Sequence, residues 1–441
     1  MKTVVAKFGG SSLADAGQFR KVKEIVNADP GRRYIVVSAP GKRFPEDVKV
    51  TDMLAACYRK AAAGEDFGEE LARISGRFQE IIRPLGLYFP LEEEMAVLES
   101  RLLAGAEEDY VLSRGEYLNA KICAAFLGFT FVDPEWCVCF DEEGKLDLKH
   151  TLRTFGAALK PLEQAVIAGF YGADMEGRIY TLSRGGSDVT GSLAAAAVSA
   201  DLYENWTDVS GLLAADPRIV PSPKTVARMS YRELRTLSYM GASVLHTDAV
   251  FPVSEAGIPI NIRNTNRPED PGTMIVNQLA EDDSEAPIVG VAGRSGMSVI
   301  QVEKLNVSDE SGFTALILDV LKKRQLPFEQ CLTGIDTVSV VIRSDLLSPC
   351  LKELLAEISK TVHPDHLEVK ENLSMLAVIG EQGAESSDAN VRVLAALAKE
   401  GIPISTMNQG AGKLNLLVGV PGEKYGEAVR AVYEAIENLG S

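Results

Sequence analysis

The chain of 441 residues has few positive charges, few cysteines and no long apolar run, and each shortage excludes a class of protein. Lysine and arginine number 45 against 62 acidic residues, so the net charge of −17 leaves no basic face for nucleic acid. No apolar stretch reaches the length of a signal peptide or a membrane span. Six scattered cysteines suit a reducing compartment. We therefore expect a cytoplasmic protein without nucleic-acid or membrane partners.

The chain also lacks a P-loop and a GxGxxG turn after a strand, yet it has a phosphate-binding feature of another kind. Residues 4–8 predict a buried strand that ends in the turn of residues 9–12, and a helix follows. A glycine turn between a strand and a helix is typical of a phosphate cradle. Lys7 places a cation inside this apolar strand and needs a partner. We interpret Lys7 as directed at a transferring phosphoryl group; the alternative is a lysine that extends to the end of the sheet.

A second anion-binding feature lies at residues 184–188, Arg-Gly-Gly-Ser-Asp, which open into an alanine-rich helix. Ser187 or Asp188 is the predicted N-cap. Adjacent glycines let backbone N–H groups converge, and the helix dipole favours an anion there. A polar turn at residues 206–209 follows the next short strand. Ordinary helix capping explains a lone turn of this kind equally well, so its interpretation depends on the first feature.

Strands and helices alternate up to about residue 262, which predicts a mostly parallel sheet covered on both faces. One predicted strand covers residues 137–140, and residues 114–116 are predicted to open a helix. After the acidic segment 281–287 the pattern changes to two βαββα units. Pro327 and Pro403, 76 residues apart, mark equivalent strands of these units. This repeat predicts two ferredoxin-like modules.

The ordered set of motifs resembles the aspartate kinase family over nearly the whole chain. The motifs that carry the resemblance are residues 7–12, 114–116, 183–188, 206–209 and 216–218. The resemblance implies an α/β fold, with an αβα-sandwich amino acid kinase domain and a mostly parallel central sheet at residues 1–280. It also implies two ferredoxin-like ACT modules at 288–362 and 363–441, with the C-terminal segment as an alternative source of the element that completes the first module.

The resemblance further implies transfer of the γ-phosphoryl group from ATP with Mg²⁺, a co-substrate rather than a tightly bound cofactor, to the β-carboxylate of L-aspartate. The product is 4-phospho-L-aspartate, at the start of lysine, threonine and methionine biosynthesis. A carboxylate acceptor needs no general base, so positioning and charge neutralisation dominate. The residues at the matching positions are Lys7, Arg184 and Asp188 for catalysis, Ser38, Thr51, Glu116 and Arg184 for aspartate, and Lys7, Gly9, Gly10, Thr207, Asp208, Leu213, Arg218 and Ser243 for ATP.

Two positions depart from the family's pattern, and both lie on the nucleotide side. Ser243 stands where the family often has lysine, and Leu213 stands where it often has tyrosine. His246, beside the first departure, is interpreted as structural, with a ligand role as the alternative. Three hypotheses therefore stay open: an aspartate kinase, a kinase of another small carboxylate or carbamate, and an amino-acid sensor with a weakened kinase domain.

The ACT resemblance implies feedback regulation and a homodimer or higher oligomer. Ser311, Gly312 and Phe313 begin a predicted helix and offer N–H groups to the α-carboxylate of an effector. Glu329 lies where lysine-sensing relatives carry an acidic residue, with a solvated strand position as the alternative. Lysine is the first predicted effector and threonine the second. Residues 363–366, His-Pro-Asp-His, are interpreted as a loop, and no metal site is predicted.

Overall fold

The structure, a computed structural model, describes residues 2–182, 185–241, 245, 247–279, 288–306, 311–380, 387–409 and 415–437. The chain divides into two units. The first comprises residues 1–212, 225–234 and 243–280, and the second comprises 213–224, 235–242 and 281–441. The predicted domain boundaries stay predictions, because two short segments before residue 280 group with the C-terminal residues.

The first unit is built on a mostly parallel sheet, as predicted. Its strands are β1 (Val4–Phe8), β2 (Arg32–Val37), β3 (Thr130–Val132), β4 (Ala165–Ala168), β5 (Tyr171–Ala173), β6 (Ile179–Thr181), β7 (Leu202–Thr207), β8 (Arg228–Ser230), β9 (Ile260–Asn264) and β10 (Thr273–Val276). Among the described residues, eight of these form one sheet in the order β3-β4-β2-β1-β7-β9-β10-β8, and β5 pairs with β6 separately. Among the pairings that the described strands make in this sheet, only β9–β10 is antiparallel.

Strand β1 lies inside this sheet, between β2 and β7, and every one of its residues is buried. Apart from Lys7 the strand is apolar, as expected where helices cover both faces of the sheet. The helices are α1 (Ala16–Ala28), α2 (Val50–Ala62), α3 (Gly68–Leu85), α4 (Leu91–Leu103), α5 (Glu108–Leu127), α6 (Leu148–Leu159), α7 (Gly186–Val198), α8 (Tyr231–Tyr239) and α9 (Thr247–Glu255). The first four residues of α8 belong to the first unit and the remainder to the second.

Two local predictions are wrong. Helix α5 begins at Glu108, so Arg114, Gly115 and Glu116 lie in its middle rather than at its start. Residues 137–140 do not form a strand, because Cys139 and Phe140 make isolated bridges and residues 137–138 lie in a turn and a bend. There the backbone N–H of Cys139 donates to the Thr151 hydroxyl at 2.9 Å, so a side chain of α6 takes the place of a strand partner.

The second unit is a single antiparallel sheet with helices. Its elements are β11 (Gly290–Glu303), α10 (Phe313–Lys323), β12 (Gln330–Thr333), β13 (Thr337–Arg343), α11 (Ser344–Leu347), α12 (Leu351–Val362), β14 (His366–Ile379), α13 (Ser387–Lys399), β15 (Thr406–Gln409), β16 (Asn415–Pro421) and α14 (Tyr425–Glu437). The described strands follow the order β12-β13-β11-β14-β16-β15.

Two ferredoxin-like halves share this sheet because β11 and β14 pair along almost their full lengths. Helices α10 and α12 cover one core, and α13 and α14 cover the other. β12 and β15 each begin three residues after their prolines, which agrees with the predicted repeat. The first half is completed by residues 366–370, the beginning of β14, and not by the C-terminal segment; helix α14 packs in the second half.

The glycine turn after β1 packs directly against the segment that follows β2. The N–H of Gly41 donates to the carbonyl oxygen of Gly10 at 2.9 Å. A Cβ on Gly10 would lie 2.9 Å from the Ala39 carbonyl oxygen, and one on Gly41 would lie 2.5 Å from the Gly10 carbonyl carbon. Both contacts are with backbone atoms, so no side-chain rotation relieves them. Glycine is therefore needed on both sides of this contact.

Gly41→Ala should destabilise the protein by about 1–3 kcal/mol, because the new methyl group displaces the backbone of the turn. Gly76→Ala is the matched control, since Gly76 lies inside α3 and a Cβ there meets nothing within 4 Å. The control should gain about 0.5–1 kcal/mol from helix propensity. Urea unfolding of both variants measures the difference. A Gly41→Ala protein as stable as the parent would disprove the backbone contact.

Candidate active site

Lys7, in the second half of β1, carries a buried cation that has two described partners. Its Nζ lies 2.5 Å from Oδ1 of Asp188 and 3.4 Å from Oδ1 of Asn205. The amide nitrogen of Asn205 also donates to Oδ1 of Asp188, at 2.8 Å. Asn205 is the β7 residue in register with Lys7. The three side chains form a closed polar cluster inside an apolar sheet.

Asp188 reaches Lys7 because α7 begins with a glycine turn. The N-cap is Gly185, at φ 77°, so the predicted N-cap of Ser187 or Asp188 is wrong. Asp188 lies instead in the first turn, where a carboxylate also complements the helix dipole. Glycine adopts this left-handed conformation readily, so the cap does not depend on a side chain of the first turn. The carboxylate is therefore available to Lys7.

The turn after β1 offers one backbone donor and uses another. The N–H of Gly9 donates to the carbonyl oxygen of Trp206 at 3.0 Å, so it is already bonded. In the described part of the chain the N–H of Gly10 has no protein acceptor. Of the two glycines predicted to meet phosphate, Gly10 has the free donor.

A cleft of about 430 Å³ lies at the carboxyl ends of β1 and β2. It brings together two predicted catalytic or substrate-binding groups, the ammonium group of Lys7 and the carboxyl group of Glu116, with Ser38 also in the lining. The described residues that line the cleft are Lys7, Ser38, Glu116, Phe170, Thr181, Leu182, Gly185, Gly186, Ser187 and Asp188.

Glu116 is the most perturbed acid of the cleft. It is 5% exposed, and burial raises its pKa to about 8, although a backbone hydrogen bond from Ala39 acts in the opposite direction. Among the described residues, its Oε2 is buried without a hydrogen-bond partner. Gly115 permits this placement, because a Cβ there would lie 3.0 Å from the Cβ of Ala39. The site thus holds an acceptor that needs a cationic or donating ligand.

Phe170 follows β4 in a backbone conformation that is costly for an aromatic residue, with φ 82°. Strain of this kind costs about 1–3 kcal/mol and needs surrounding contacts to hold it. Its N–H donates to the Thr190 hydroxyl at 3.0 Å, and its carbonyl accepts from Leu182 at 2.7 Å. A Cβ on Gly186 would lie 2.6 Å from the Phe170 ring. The ring is therefore fixed against the start of α7.

Other predicted residues lie away from the cleft lining. Thr51 is in the first turn of α2 and is not among the described lining residues. Thr207 ends β7, and its hydroxyl donates to exposed Asp208 at 3.2 Å. Leu213 and Arg218 belong to the second unit, where Arg218 pairs with Asp216 at 2.7 Å and lowers the pKa of that carboxyl by hydrogen bonding.

Three predictions fall on residues outside the described parts of the chain. These are Arg184, the predicted clamp of the aspartate α-carboxylate, Ser243 and its neighbour His246. Residues 363–365 lie between α12 and β14, with His363 as the C-cap of α12 at φ 48°, and His366 is the first residue of β14. In the described part of the chain no group of three or more His, Cys, Asp or Glu is arranged to hold a metal ion.

The predicted start of the effector helix is wrong at Ser311. Helix α10 begins at Phe313 with Gly312 as its N-cap at φ 90°, so Ser311 lies before the helix, in an exposed turn. The left-handed φ of Gly312 explains the difference, because glycine adopts it readily and ends the turn there. The Phe313 side chain is buried in the core under α10. None of the three is among the described residues that line the cavity containing Glu329.

Glu329, the other predicted effector residue, already has two partners. Its carboxylate accepts a hydrogen bond from Tyr239 and lies 3.6 Å from Nη1 of Arg294. Ser311, Gly312 and Glu329 are therefore not brought together in one described cavity. The predicted role of Glu329 toward lysine stays a prediction.

Sequence reasoning missed Asn205 and Phe170. Asn205 had a detectable signal, because it is a polar residue in the short apolar strand before the Trp-Thr-Asp turn and becomes 4% exposed. Phe170 had none, because positive φ at a phenylalanine follows from its tertiary contacts. Asn119, one turn after Glu116, also escaped notice; its Nδ2 donates to the Ser38 carbonyl at 2.6 Å.

Comparison with known proteins decides the family. Residues 2–264 match the amino acid kinase family, and residues 376–436 match an ACT domain. Aspartokinase 3 of Bacillus subtilis is 34% identical over 98% of each chain. The chain belongs to the aspartokinases of the amino acid kinase family. The predicted family, fold class and phosphotransfer to a carboxylate acceptor are thereby confirmed.

Solved structures of aspartokinases agree with this assignment. Aspartate kinase of Clostridium acetobutylicum is 42% identical, with a TM-score of 0.88 over 99% of this chain and 100% of that one. Escherichia coli aspartokinase III, with aspartate and ADP, is 25% identical with a TM-score of 0.75; with lysine and aspartate it is 26% identical with a TM-score of 0.72. Both cover 99% of this chain and 100% of that one. Among the described helices of this aspartokinase, none has the length and apolar composition needed to cross a membrane.

Glu116→Gln should change how stability depends on pH. Between its ordinary pKa of 4.5 and its folded value of about 8, the folded chain holds a proton that the unfolded chain releases. The free energy of unfolding therefore falls as pH rises through this window, by at most about 1.4 kcal/mol per pH unit. Urea unfolding from about pH 5.5 to pH 8.5 should show the variant gaining stability relative to the parent.

Glu108→Gln, which removes an exposed carboxylate from the same helix, is the control and should leave the slope of the parent unchanged. Equal slopes for the parent and Glu116→Gln would show that Glu116 is ionised in the folded protein.

Proposed function

We propose that this chain transfers the γ-phosphoryl group of ATP to the β-carboxylate of L-aspartate in the cleft between Lys7 and Glu116. The observation that supports this most directly is that one cleft holds a buried cation, Lys7, and a buried acceptor, Oε2 of Glu116, that has no partner among the described residues. A phosphoryl group matches the cation, and the ammonium group of an amino acid matches the acceptor. Membership of this chain in the aspartokinase family supports the same reaction.

Lys7 supplies positive charge to the phosphoryl group during transfer. A cation about 4 Å from a phosphate oxygen gains roughly 4 kcal/mol at an effective dielectric near 20. If this gain is felt only in the transition state, it is worth about three decades of rate. Asp188 and Asn205 hold the ammonium group in place, so little reorganisation is required when charge develops.

Glu116 accepts the α-ammonium group of aspartate, and Ser38 and Arg184 complete the binding of the substrate. The ammonium group satisfies the orphaned Oε2 and favours the ionised form of the carboxyl. Arg184 holds the α-carboxylate in a bidentate pair, as the resemblance implies. The attacking β-carboxylate is already a nucleophile, so no base takes part.

The nucleotide approaches from the turn after β1 and the start of α7. The free N–H of Gly10 and the N-terminus of α7 favour phosphate oxygens. Mg²⁺ arrives with ATP as part of the co-substrate. The E. coli relative with bound ADP supports the use of an adenine nucleotide. Thr207, Asp208, Leu213, Arg218 and Ser243 remain the proposed further contacts of ATP.

Purified protein with Mg-ATP, L-aspartate and hydroxylamine should form aspartyl hydroxamate, which traps the acyl phosphate. Lys7→Ala should lower kcat about a thousandfold with a modest change in the KM for aspartate, because its contact strengthens during transfer. Lys149→Ala, which removes an exposed lysine of α6, is the control. Absence of hydroxamate with the parent rejects the reaction. Near-normal turnover of Lys7→Ala rejects the role of Lys7 alone.

We also infer that the enzyme works in the cytoplasm as a homodimer or higher oligomer that a free amino acid inhibits through the C-terminal unit. Six free thiols support a reducing compartment. Strands β12 and β15 are the edges of the described sheet, and edges of this kind pair across two-fold axes. The E. coli relative with bound lysine supports lysine as the effector, and threonine is the second candidate.

Lysine should inhibit hydroxamate formation and produce a saturable isotherm in calorimetric titration, with threonine weaker. Glu329→Gln tests the predicted contact with the ε-ammonium group, which is worth roughly 1.5–3 kcal/mol, or about ten- to a hundredfold in affinity. Asp319→Asn, an exposed carboxylate of α10, is the control. Unchanged lysine affinity in Glu329→Gln removes that residue from the effector site. No binding of either amino acid removes the sensor.

A further inference from the structure

Arg77, in the middle of α3, is a buried cation that does not line the cleft of Lys7 and Glu116. It is 3% exposed, and its Nη2 donates to the carbonyl oxygen of Gly41 at 2.9 Å and lies 3.7 Å from Oδ2 of Asp47. Its Nε and Nη1 are buried without a hydrogen-bond partner in the described part of the chain. One nitrogen atom therefore makes both contacts, and both are with the segment that follows β2.

That segment, residues 41–47, is closed on itself by a second arginine. Nε and Nη2 of Arg43 donate to the two carboxylate oxygens of Asp47 at 2.7 and 2.9 Å, and the N–H of Arg43 donates to Oδ2 at 3.0 Å. The N–H of Asp47 donates to the carbonyl oxygen of Phe44 at 3.1 Å. Because Nη2 of Arg77 lies against both Gly41 and Asp47, helix α3 holds both ends of the segment.

The same segment is hydrogen-bonded to the glycine turn after β1. The N–H of Gly41 donates to the carbonyl oxygen of Gly10 at 2.9 Å, and the N–H of Ser12 donates to the carbonyl oxygen of Gly9 at 3.0 Å. These two carbonyl groups belong to the peptide units on either side of the Gly10 α-carbon. Glycine has no Cβ to limit its dihedral angles, so these two bonds set the direction of the free Gly10 N–H.

Burial of Arg77 is poorly compensated as a source of stability. Burial and the neighbouring charge of Arg43 lower the pKa of its guanidinium group, although Asp47 acts in the opposite direction. A buried charge that is incompletely paired is unfavourable, and an apolar side chain of similar length often replaces it without loss. Asp47 would keep its bidentate partner in such a variant. What Arg77 adds is the fixed position of the segment.

We propose that Arg77 is a positioning residue for phosphoryl transfer. Through Gly41 it fixes the direction in which the Gly10 N–H donates to the phosphate groups of ATP. The inference rests on the proposed function, which places those phosphate groups at the turn after β1. Arg77 itself contacts neither substrate.

The aspartate side of the cleft is held by other bonds. The N–H of Ser38 donates to the carbonyl oxygen of Phe8 at 3.1 Å, and the carbonyl oxygen of Ser38 accepts from Nδ2 of Asn119 at 2.6 Å. Neither bond involves α3 or the segment 41–47. Loss of the Arg77 guanidinium should therefore weaken the nucleotide and leave aspartate almost unchanged.

The test titrates the full-length protein in a calorimeter with Mg-AMP-PNP, an ATP analogue that is not hydrolysed, and separately with L-aspartate. Arg77→Met should weaken AMP-PNP at least about tenfold and change the affinity for aspartate less than about twofold. Arg77→Lys keeps the charge, but its nitrogen lies one bond closer to the backbone and reaches Gly41 and Asp47 less well. It should weaken AMP-PNP at least about threefold.

Arg73→Met is the matched control and should bind both ligands as the parent does. Arg73 lies one turn earlier on α3, is exposed, and lines the same cavity of about 430 Å³ as Arg77. Smaller losses of AMP-PNP affinity in the Arg77 variants overturn the proposal. Equal weakening of AMP-PNP and aspartate also overturns it, because Arg77 would then only stabilise the fold. If Arg77→Met does not fold, Arg77→Lys decides with the same two ligands.

The nucleotide titrations need no turnover, so they separate this inference from the proposed reaction. A parent that binds AMP-PNP but forms no aspartyl hydroxamate rejects the reaction, and the Arg77 variants still test the positioning of the phosphate groups. A parent that forms hydroxamate, with an Arg77→Met protein that binds AMP-PNP equally well, rejects the role of Arg77 and keeps the reaction. A parent that binds no AMP-PNP overturns the inference.

Discussion

The ammonium group of Lys7 lies within a parallel sheet, and the burial of this charge sets the demands on the elements around it. An unpaired buried cation is strongly unfavourable, and loss of one partner of a buried pair costs about 3–5 kcal/mol. Asp188 comes from the first turn of α7, and Asn205 comes from β7. All three side chains meet because parallel strands and the helices that follow them converge at one edge of the sheet. Lys7 and Asp188 also line the cleft, so a phosphate can compete for the cation without moving the sheet.

Close approach of backbones is the second constraint on the site. Gly10 and Gly41 bring the first glycine turn against the segment after β2, and Gly115 brings α5 close to Ala39. The first contact places Ser38 near Lys7, and the second places the Glu116 carboxyl within reach of the Ala39 N–H. A Cβ at Gly10 or Gly41 would lie 2.9 Å or less from backbone atoms, and one at Gly115 would lie 3.0 Å from the Cβ of Ala39, so larger residues would push these elements apart. Glycine therefore acts here through absent volume rather than through flexibility.

Local pattern and motif order were sufficient to predict β1, the parallel sheet and the repeat that two prolines mark in the C-terminal unit. They failed where tertiary contacts override propensity. Gly115 resembles a helix start because glycine is unfavourable inside helices, yet here its small size is what the packing requires. Residues 137–140 have strand composition, but the Thr151 hydroxyl takes a backbone donor. No sequence pattern predicts that β11 and β14 run through both ferredoxin-like halves. Each half of these strands, about seven residues long, already satisfies a strand pattern by itself.

The proposed role of Glu116 couples substrate binding to a proton. Its raised pKa, about 8, means that the carboxyl is mostly protonated near neutral pH when nothing pairs with it. An α-ammonium group beside Oε2 favours the ionised form, so binding at neutral pH releases the proton and bears a cost of about 1.4 kcal/mol for each unit by which the pKa exceeds the pH. That cost disappears as pH approaches 8, so aspartate binding strengthens as pH rises. Over the same range the free energy of unfolding of the free protein falls. A carboxyl kept neutral in the empty cleft thus avoids a buried unpaired charge, and the ligand itself supplies the charge that makes ionisation favourable.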